Sequence, residues 1–410
     1  MNTPKLRFEG FEREWEISRL GNFLNHIGSG VTPRGGSSVY QTEGTLFIRS
    51  QNVHFAGLRL KDVAFISDEI NTKMKSSQLS DSDVLLNITG ASIGRATIVP
   101  LDFPKANVNQ HVCILRTNEY LSPYFLKFFL ESYHGQKNVF KDQAGQTREA
   151  LNLNQIKSFN IGIPCFEEQK KITQFFSLIT QRVNLQQEKI KELEEMKKGM
   201  MQKIFSQELR FRDEDGSEFP GWKKKSLKEL TNLLKDGTHG THENVLDGPY
   251  LLSAKNIKNG KVHFDSNDRK ISNSDYEMIY RNYKLQKNDI LLSVVGTIGR
   301  VALFKSDEKI IFQRSVAIIR FKDEFNQQFM YHQFNTQKFQ NQLLINQVVS
   351  AQPGIYLGDL AKLTIEIPTN KEQEKIANFL SILDSKNEME REKFVNLETL
   401  KRGFMQQMFL

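Results

Sequence analysis

The stretch IPCFEEQKKITQFFSLI, Ile163–Ile179, returns 204 residues later as IPTNKEQEKIANFLSIL, Ile367–Leu383. KKGMMQKIF (Lys197–Phe205) returns at the same offset as KRGFMQQMF (Lys401–Phe409). Further upstream, DVLLNITGASIGRATIV from Asp83 matches DILLSVVGTIGRVALF from Asp289, and LFIRSQNV (Leu46–Val53) matches YLLSAKNI (Tyr250–Ile257). VNQHVCI from Val108 matches IFQRSVAI from Ile311, and LNQI (Leu153–Ile156) matches LGDL (Leu357–Leu360). Ordered self-similarity on this scale means one structural plan built twice. Residues 53–80 and 257–286 diverge between the copies, so a shared scaffold carries two different surfaces.

The copies also join in a ring. The junction SQELRFRDEDGSEFPGW ends in Trp222, as the opening PKLRFEGFEREW ends in Trp15, and the final MQQMFL stops where the first copy continues MQKIFSQELRF. This predicts a cyclic, pseudo-twofold arrangement with neighbouring termini. The expected segments are globular halves over 1–163 and 208–367 and long helices over 164–207 and 368–410.

Those helices follow from a 4,3 alternation. In the first copy it runs through Ile172, Phe176, Ile179, Val183, Gln186, Ile190, Leu193, Lys197, Met200 and Ile204. In the second it runs through Ile376, Leu380, Leu383, Asn387, Glu390, Phe394, Leu397, Lys401, Phe404 and Met408. Neither seam is buried by one helix alone, so an antiparallel coiled-coil pair is expected. Its polar members, with lysine recurring at 197 and 401, suit register setting or contact with another subunit. Thr369 and Glu372 have capping-box spacing. Gly199 and Gly403 each cost about 1 kcal/mol in a helix interior, which suggests close approach of a neighbouring backbone.

Ahead of each helix, short segments rich in β-branched and aromatic residues alternate with turn residues: GTLFIRS, DVLLNIT, RATIVP, VCILR, then DILLSVV, RVALF, VAIIRF. They read as strands of a twisted sheet, joined by helices such as SPYFLKFFLESY and NQQFMYHQFNTQKFQNQLL. The fold class is α+β, present twice. TGASIGRA (Thr89–Ala96) lies between two such strands and lacks the lysine, hydroxyl and following helix of a phosphate-binding loop. It reads as a turn in which glycine supplies unusual backbone angles, with Arg95 and its counterpart Arg300 within reach of a DNA phosphate.

The chain has 410 residues, 39% of them hydrophobic and 25% charged, a globular composition with room for more than one core. Lys and Arg number 56 against 48 Asp and Glu, a balance that mildly favours a polyanionic partner. Cys113 and Cys165 are too few for a disulfide framework and read as core thiols in a reducing cytoplasm. The opening MNTPKLRFEGFEREWE has no apolar run of signal-peptide type, and nothing approaches the ~20 apolar residues of a membrane span, so a soluble cytoplasmic protein is expected. His239 and His242 form HxxH in DGTHGTHE without the Cys or HExxH helix that completes a zinc site, so a loop or DNA-contacting role is expected and no metal. No GxSxG elbow, (N/D)PP(Y/F) or FxGxG is present, which points away from catalysis by this chain.

The plan as a whole resembles the specificity subunit of type I DNA restriction-modification systems. The residues that carry the resemblance are GSGVTP and DGTHGTH early in each half, IGR in mid-sheet, and IPxxxEQxKI leading into the long helix. The resemblance implies that each globular half is a target recognition domain reading one part of a split double-stranded DNA sequence. It implies that the helix pair fixes the spacer and carries two modification subunits, which methylate adenine from S-adenosylmethionine. Restriction subunits would join them with ATP and magnesium, in a bacterial or archaeal cytoplasm. The copies depart from each other where GSGVTP faces DGTHGTH and NQH (109–111) faces QRS (313–315).

Side chains suited to base contacts, Arg to guanine and Asn or Gln to adenine, gather in loops near the shared islands. Thr32, Arg34, Arg49, Gln51, Asn52, Arg95, Gln110 and Arg148 are the candidates in the first half. His239, Thr241, Lys255, Asn256, Arg300, Gln313 and Arg314 are those in the second. The competing readings are a stand-alone DNA nuclease or methyltransferase, and a coiled-coil scaffold that reads no DNA.

Overall fold

Strands Leu24–Ser29, Val112–Thr117, Val84–Asn87 and Ala96–Ile98 lie side by side in that order, every neighbour antiparallel. Thr231–Asp236, Val316–Phe321, Ile290–Ser293 and Val301–Leu303 repeat the order. The computed structural model that shows this describes residues 2–33, 35–141, 150–348 and 353–410. VLLN and ILLS are buried along their whole length, which is why they carry no alternation. The aspartates that precede them are buried too. Arg116 donates to Asp83 through Nε and Nη2 at 2.7 and 2.8 Å, and Arg320 to Asp289 at 2.7 and 2.7 Å. A smaller sheet sits beyond: Thr45–Ile48 runs parallel to Ala106–Val108, as Tyr250–Leu252 does to Ile310–Phe312.

The chain divides into two units, one reaching to Lys189 and including Glu390–Leu410, the other Ile190–Met389. Two long helices, Phe166–Phe205 and Asn370–Met408, contribute to both. At 40 and 39 residues each is about 60 Å long. All twenty seam positions are buried or half-buried. In the first unit the start of one helix meets the end of the other, with Phe176 stacked on Phe409 at 5.6 Å and Phe175 edge-on to Phe404 at 5.2 Å. In the second unit Lys197, near the end of the first helix, pairs with Asp384 near the start of the second. The pairing is therefore antiparallel.

The ring inferred from the junction appears as duplicated contacts. Leu209 N–H donates to the Lys203 carbonyl at 3.0 Å just past the first long helix, and Leu6 N–H donates to the Gln407 carbonyl at 3.0 Å past the second. Trp15 packs on Phe125 at 5.9 Å, and Trp222 on Phe329 at 5.9 Å. Arg7 grips Glu168 at 2.7 and 2.8 Å, and Arg210 grips Glu372 at 3.1 and 2.7 Å. Both carboxylates are fully buried at the base of a long helix.

Three expectations are corrected. Glu372 does not close a capping box with Thr369, because Arg210 and Trp222 Nε1 occupy its carboxylate, and the Thr369 hydroxyl has no partner. Gly199 and Gly403 face open space, with nothing within 4 Å of an added Cβ, so no backbone approaches them. Of the seam lysines, Lys197 pairs with Asp384 on the other long helix and Lys401 pairs with Glu131 at 2.6 Å. Of the two cysteines only Cys113 is a core thiol, pushed up to about 12 by burial, whereas Cys165 is exposed.

Removing the cation from a fully buried carboxylate leaves it uncompensated, at a cost of up to about 3–5 kcal/mol. Arg210→Ala and Arg7→Ala are each expected to lower the thermal midpoint sharply, and pairing Arg210→Ala with Glu372→Gln recovers part of the loss in the same melts. At mid-helix, hydrogen bonds from Gln186, Lys189 and Lys393 hold the Glu390 carboxyl down to about 2, against an ordinary 4.5. A depressed folded pKa contributes stability above about 4.5 that is lost as pH falls towards 2. Glu390→Gln should therefore melt below the parent chain at neutral pH and converge with it as pH falls through that window.

Candidate nucleic-acid interface

The strand of each half that leaves the four-stranded sheet crosses its neighbour at a glycine. A Cβ on Gly30 would stand 1.6 Å from the Val108 carbonyl oxygen, and one on Gly237 would stand 2.0 Å from that of Phe312. Only glycine permits the crossing. It lays GSGVTP and DGTHGTH across the turn before Val112–Thr117 and Val316–Phe321.

That turn matches residue for residue. Asn109 N–H donates to the Ile48 carbonyl at 3.1 Å, and Gln313 N–H to that of Leu252 at 2.8 Å. Ile88 N–H donates to the His111 carbonyl at 3.0 Å, and Val294 N–H to that of Ser315 at 2.9 Å. Asn109-Gln110-His111 thus corresponds to Gln313-Arg314-Ser315, with exposed Gln110 and Arg314 at the same tip. Thr32 donates to Gln110 Oε1 from the crossing loop. His111 bridges Gln110 Nε2 at 3.1 Å and Thr89 Oγ1 at 2.6 Å. In the second half Thr238 meets His242 at 2.9 Å, while the Ser315 hydroxyl accepts from Ala254 N–H at 3.1 Å.

A second loop follows strands Thr45–Ile48 and Tyr250–Leu252. Here Asn52 and Asn256 are corrected: each is buried and spends its amide on the loop's own backbone. Asn52 accepts from Arg49 N–H at 3.0 Å and donates to the Arg59 carbonyl at 2.8 Å. Asn256 accepts from Ser253 N–H at 3.0 Å and donates to the His263 carbonyl at 2.9 Å. Neither is available to a base. They shape short turns that present exposed Gln51 and Lys255. Lys255 pairs with Asp268 at 3.0 Å, and the hydrogen bond from Asn256, then Lys255, holds that carboxyl below its usual range. Arg49 is half-buried, donating to the Asp62 carbonyl at 3.0 Å and lying over the Tyr40 ring.

TGASIGRA forms the third loop. Gly94 and Gly299 have φ of +82° and +90°, a region that favours glycine. Gln136 and Gln340 donate to their carbonyls at 3.0 Å each. Arg300 reaches the Ala254 carbonyl at 3.4 Å and braces the second loop. Half-buried Arg95 stands near His54, whose imidazole is held below its ordinary range by burial, with Arg59 and Arg95 adding to the effect. His239 bonds Asp236 at 2.6 Å while His242 turns to Thr238, so the HxxH pair does not converge. Thr241 is exposed beside them. Among the described residues no group of three or more His, Cys, Asp or Glu side chains is placed to hold a metal. Arg34 and Arg148 lie outside the described residues.

Thr32 and Gln110 are thus brought into contact, and Lys255 and Arg300 into one loop system. Thr89 and His111 were not among the candidates, although TGASIGRA and NQH contain them, and His242 entered through the HxxH pair. The contact of Thr32 with Gln110, 78 residues apart, depends on the crossing at Gly30, whereas Gln110 and His111 are neighbours in sequence and Thr238 and His242 lie four apart.

Comparison with known proteins follows the same plan. The family model described as type I restriction modification DNA specificity domain matches twice, over residues 12–195 and 220–399. The MjaVIII specificity subunit of Methanocaldococcus jannaschii is 23% identical over 96% of this chain and 91% of its own. The EcoBI specificity subunit of Escherichia coli is 22% identical over 66% of this chain and 61% of its own. The crystal structure of the type I S subunit from M. genitalium shares the fold with a TM-score of 0.58 at 14% identity, covering 100% of this chain and 99% of that one. No helix is long and apolar enough to cross a membrane among the described residues. With the family model covering most of both halves, the chain belongs to the type I restriction-modification DNA specificity family and carries its specificity domain twice.

Proposed function

We propose that each half reads one part of a bipartite, asymmetric DNA sequence, that the helix pair sets the number of bases between the parts, and that the chain itself catalyses nothing. The observation that carries this reading is one loop framework built twice with different side chains at its tips. Gln110 and Arg314 occupy the same place and are suited to different bases. Two unlike readers joined by helices of this length suit half-sites about one helical turn apart, ~34 Å.

The surface of the long helices supports the docking of two copies of one partner. Leu178 and Ile382 are repeat equivalents, each 67% exposed. So are Leu185 and Met389, and Met196 and Leu400, all exposed. Large apolar side chains held out to solvent at matching positions of both copies fit two identical docking sites. The partners would be two modification subunits that bring S-adenosylmethionine and methylate adenine. Restriction subunits, with ATP and magnesium, would complete the assembly.

The purified chain should transfer no methyl group to DNA. Produced with its modification subunits it should direct methylation to one bipartite motif. Exchanging residues 1–163 for those of a relative should change one part of that motif, with the other part and the spacing retained. Methylation by the chain alone, or a motif indifferent to the exchange, would overturn the reading.

A further inference from the structure

We infer that the tip at Gln110 and Arg314 is the same base-reading position in both halves, that Gln110 reads an adenine, and that Thr32 and His111 position it. The inference rests on the DNA-reading function proposed above and adds the base and the positioning residues.

The hydrogen bonds around Gln110 fix where its protons lie. A glutamine amide has two N–H donors and two acceptor lone pairs. Gln110 Nε2 approaches His111 Nε2 at 3.1 Å, and an amide nitrogen donates, so that ring nitrogen carries a lone pair. A neutral imidazole then holds its proton on Nδ1, which faces the Thr89 hydroxyl at 2.6 Å and donates to it. On the other side Thr32 Oγ1 donates to Gln110 Oε1. One N–H and one lone pair of the amide are thereby committed inside the protein. One N–H and one lone pair are left on an exposed side chain held from both sides.

That remaining couple is what adenine requires, a donor to N7 and an acceptor from N6. A side chain free to rotate would present either order of donor and acceptor and lose rotamer freedom on binding. Held by Thr32 and His111, Gln110 presents one order. The second half has Arg314 at the equivalent tip, exposed. Arginine donates from two nitrogens at once, which suits O6 and N7 of guanine. One backbone frame with a glutamine in one copy and an arginine in the other gives the two half-sites different bases at corresponding places.

The test uses the full chain produced with its modification subunits, reading the methylated motif by sequencing and the affinity of the complex for duplexes changed one base at a time. Gln110→Ala is expected to lose discrimination for adenine at one position of the first half-site, by about 5- to 150-fold, with the second half-site unchanged as the control for folding. Gln110→Arg is expected to shift that position to guanine. Replacing the adenine by 7-deazaadenine removes N7 and should weaken the parent complex but add nothing to Gln110→Ala. Thr32→Val should relax the same position and Thr32→Ser restore it. His111→Leu should relax it and His111→Asn, which retains an acceptor, should recover part of the loss. A bipartite motif that is unchanged in Gln110→Ala, or weakened equally at every base, overturns this inference alone. A parent chain that directs no bipartite motif overturns the reading beneath it, and this inference with it.

Discussion

Each unit closes its core with side chains from the far end of the other repeat's helix. In the first unit the sheet helix Pro123–Glu131 presents Phe125 and Phe129, the first long helix adds Phe176, and Phe409 from the second fills the space between them. Met405 and Met408 join the same buried cluster. In the second unit Phe205 takes the place of Phe409, packing on Phe329 at 5.6 Å. Truncating one such buried phenylalanine to alanine removes about 3–5 kcal/mol, a large fraction of a domain's net stability. Each unit therefore draws a large part of its stability from the helix end that the other repeat contributes, and its core and that helix end form one cooperative structure.

Several buried interactions recur in both copies, while the loop tips differ. Asp83 with Arg116 recurs as Asp289 with Arg320, Arg7 with Glu168 as Arg210 with Glu372, and Gln136 on Gly94 as Gln340 on Gly299. A buried charge without its partner is costly enough that neither member of such a pair drifts alone. Tip residues bear no such constraint. Gln110 and Arg314, or His111 and Ser315, sit on the same backbone hydrogen bonds and are exchanged without disturbing them. Side chains at the tip can change on a frame that stays constant.

This separation also explains what was legible. The offset repeat, the strands and both seams are properties of periodicity, and side chains from Ile172 to Met408 lie where it puts them. Asn52 and Asn256 were misread because residue type cannot tell an amide that faces DNA from one that caps its own loop. Both demand the same donors and acceptors, and only burial separates them. Glu372 looked like a cap partner because spacing is local, while Arg210, which claims it, is 162 residues away. Gly199 and Gly403 share a position without sharing a contact, and nothing in the structure explains their recurrence.

The middle of the helix pair joins one residue of each copy that differs from its counterpart. Antiparallel helices of 40 and 39 residues bring repeat-equivalent residues face to face near their midpoint, and Gln186 meets Glu390, 204 residues apart. Two glutamates would lose the amide donor that Gln186 supplies, and two glutamines would leave Lys189 and Lys393, themselves repeat equivalents, to solvent. Glu390 accepts from Gln186 Nε2 at 2.7 Å and takes Lys189 and Lys393 at 3.0 and 3.1 Å. The asymmetry at the symmetry point thus gathers one amide and two lysines on a single carboxylate.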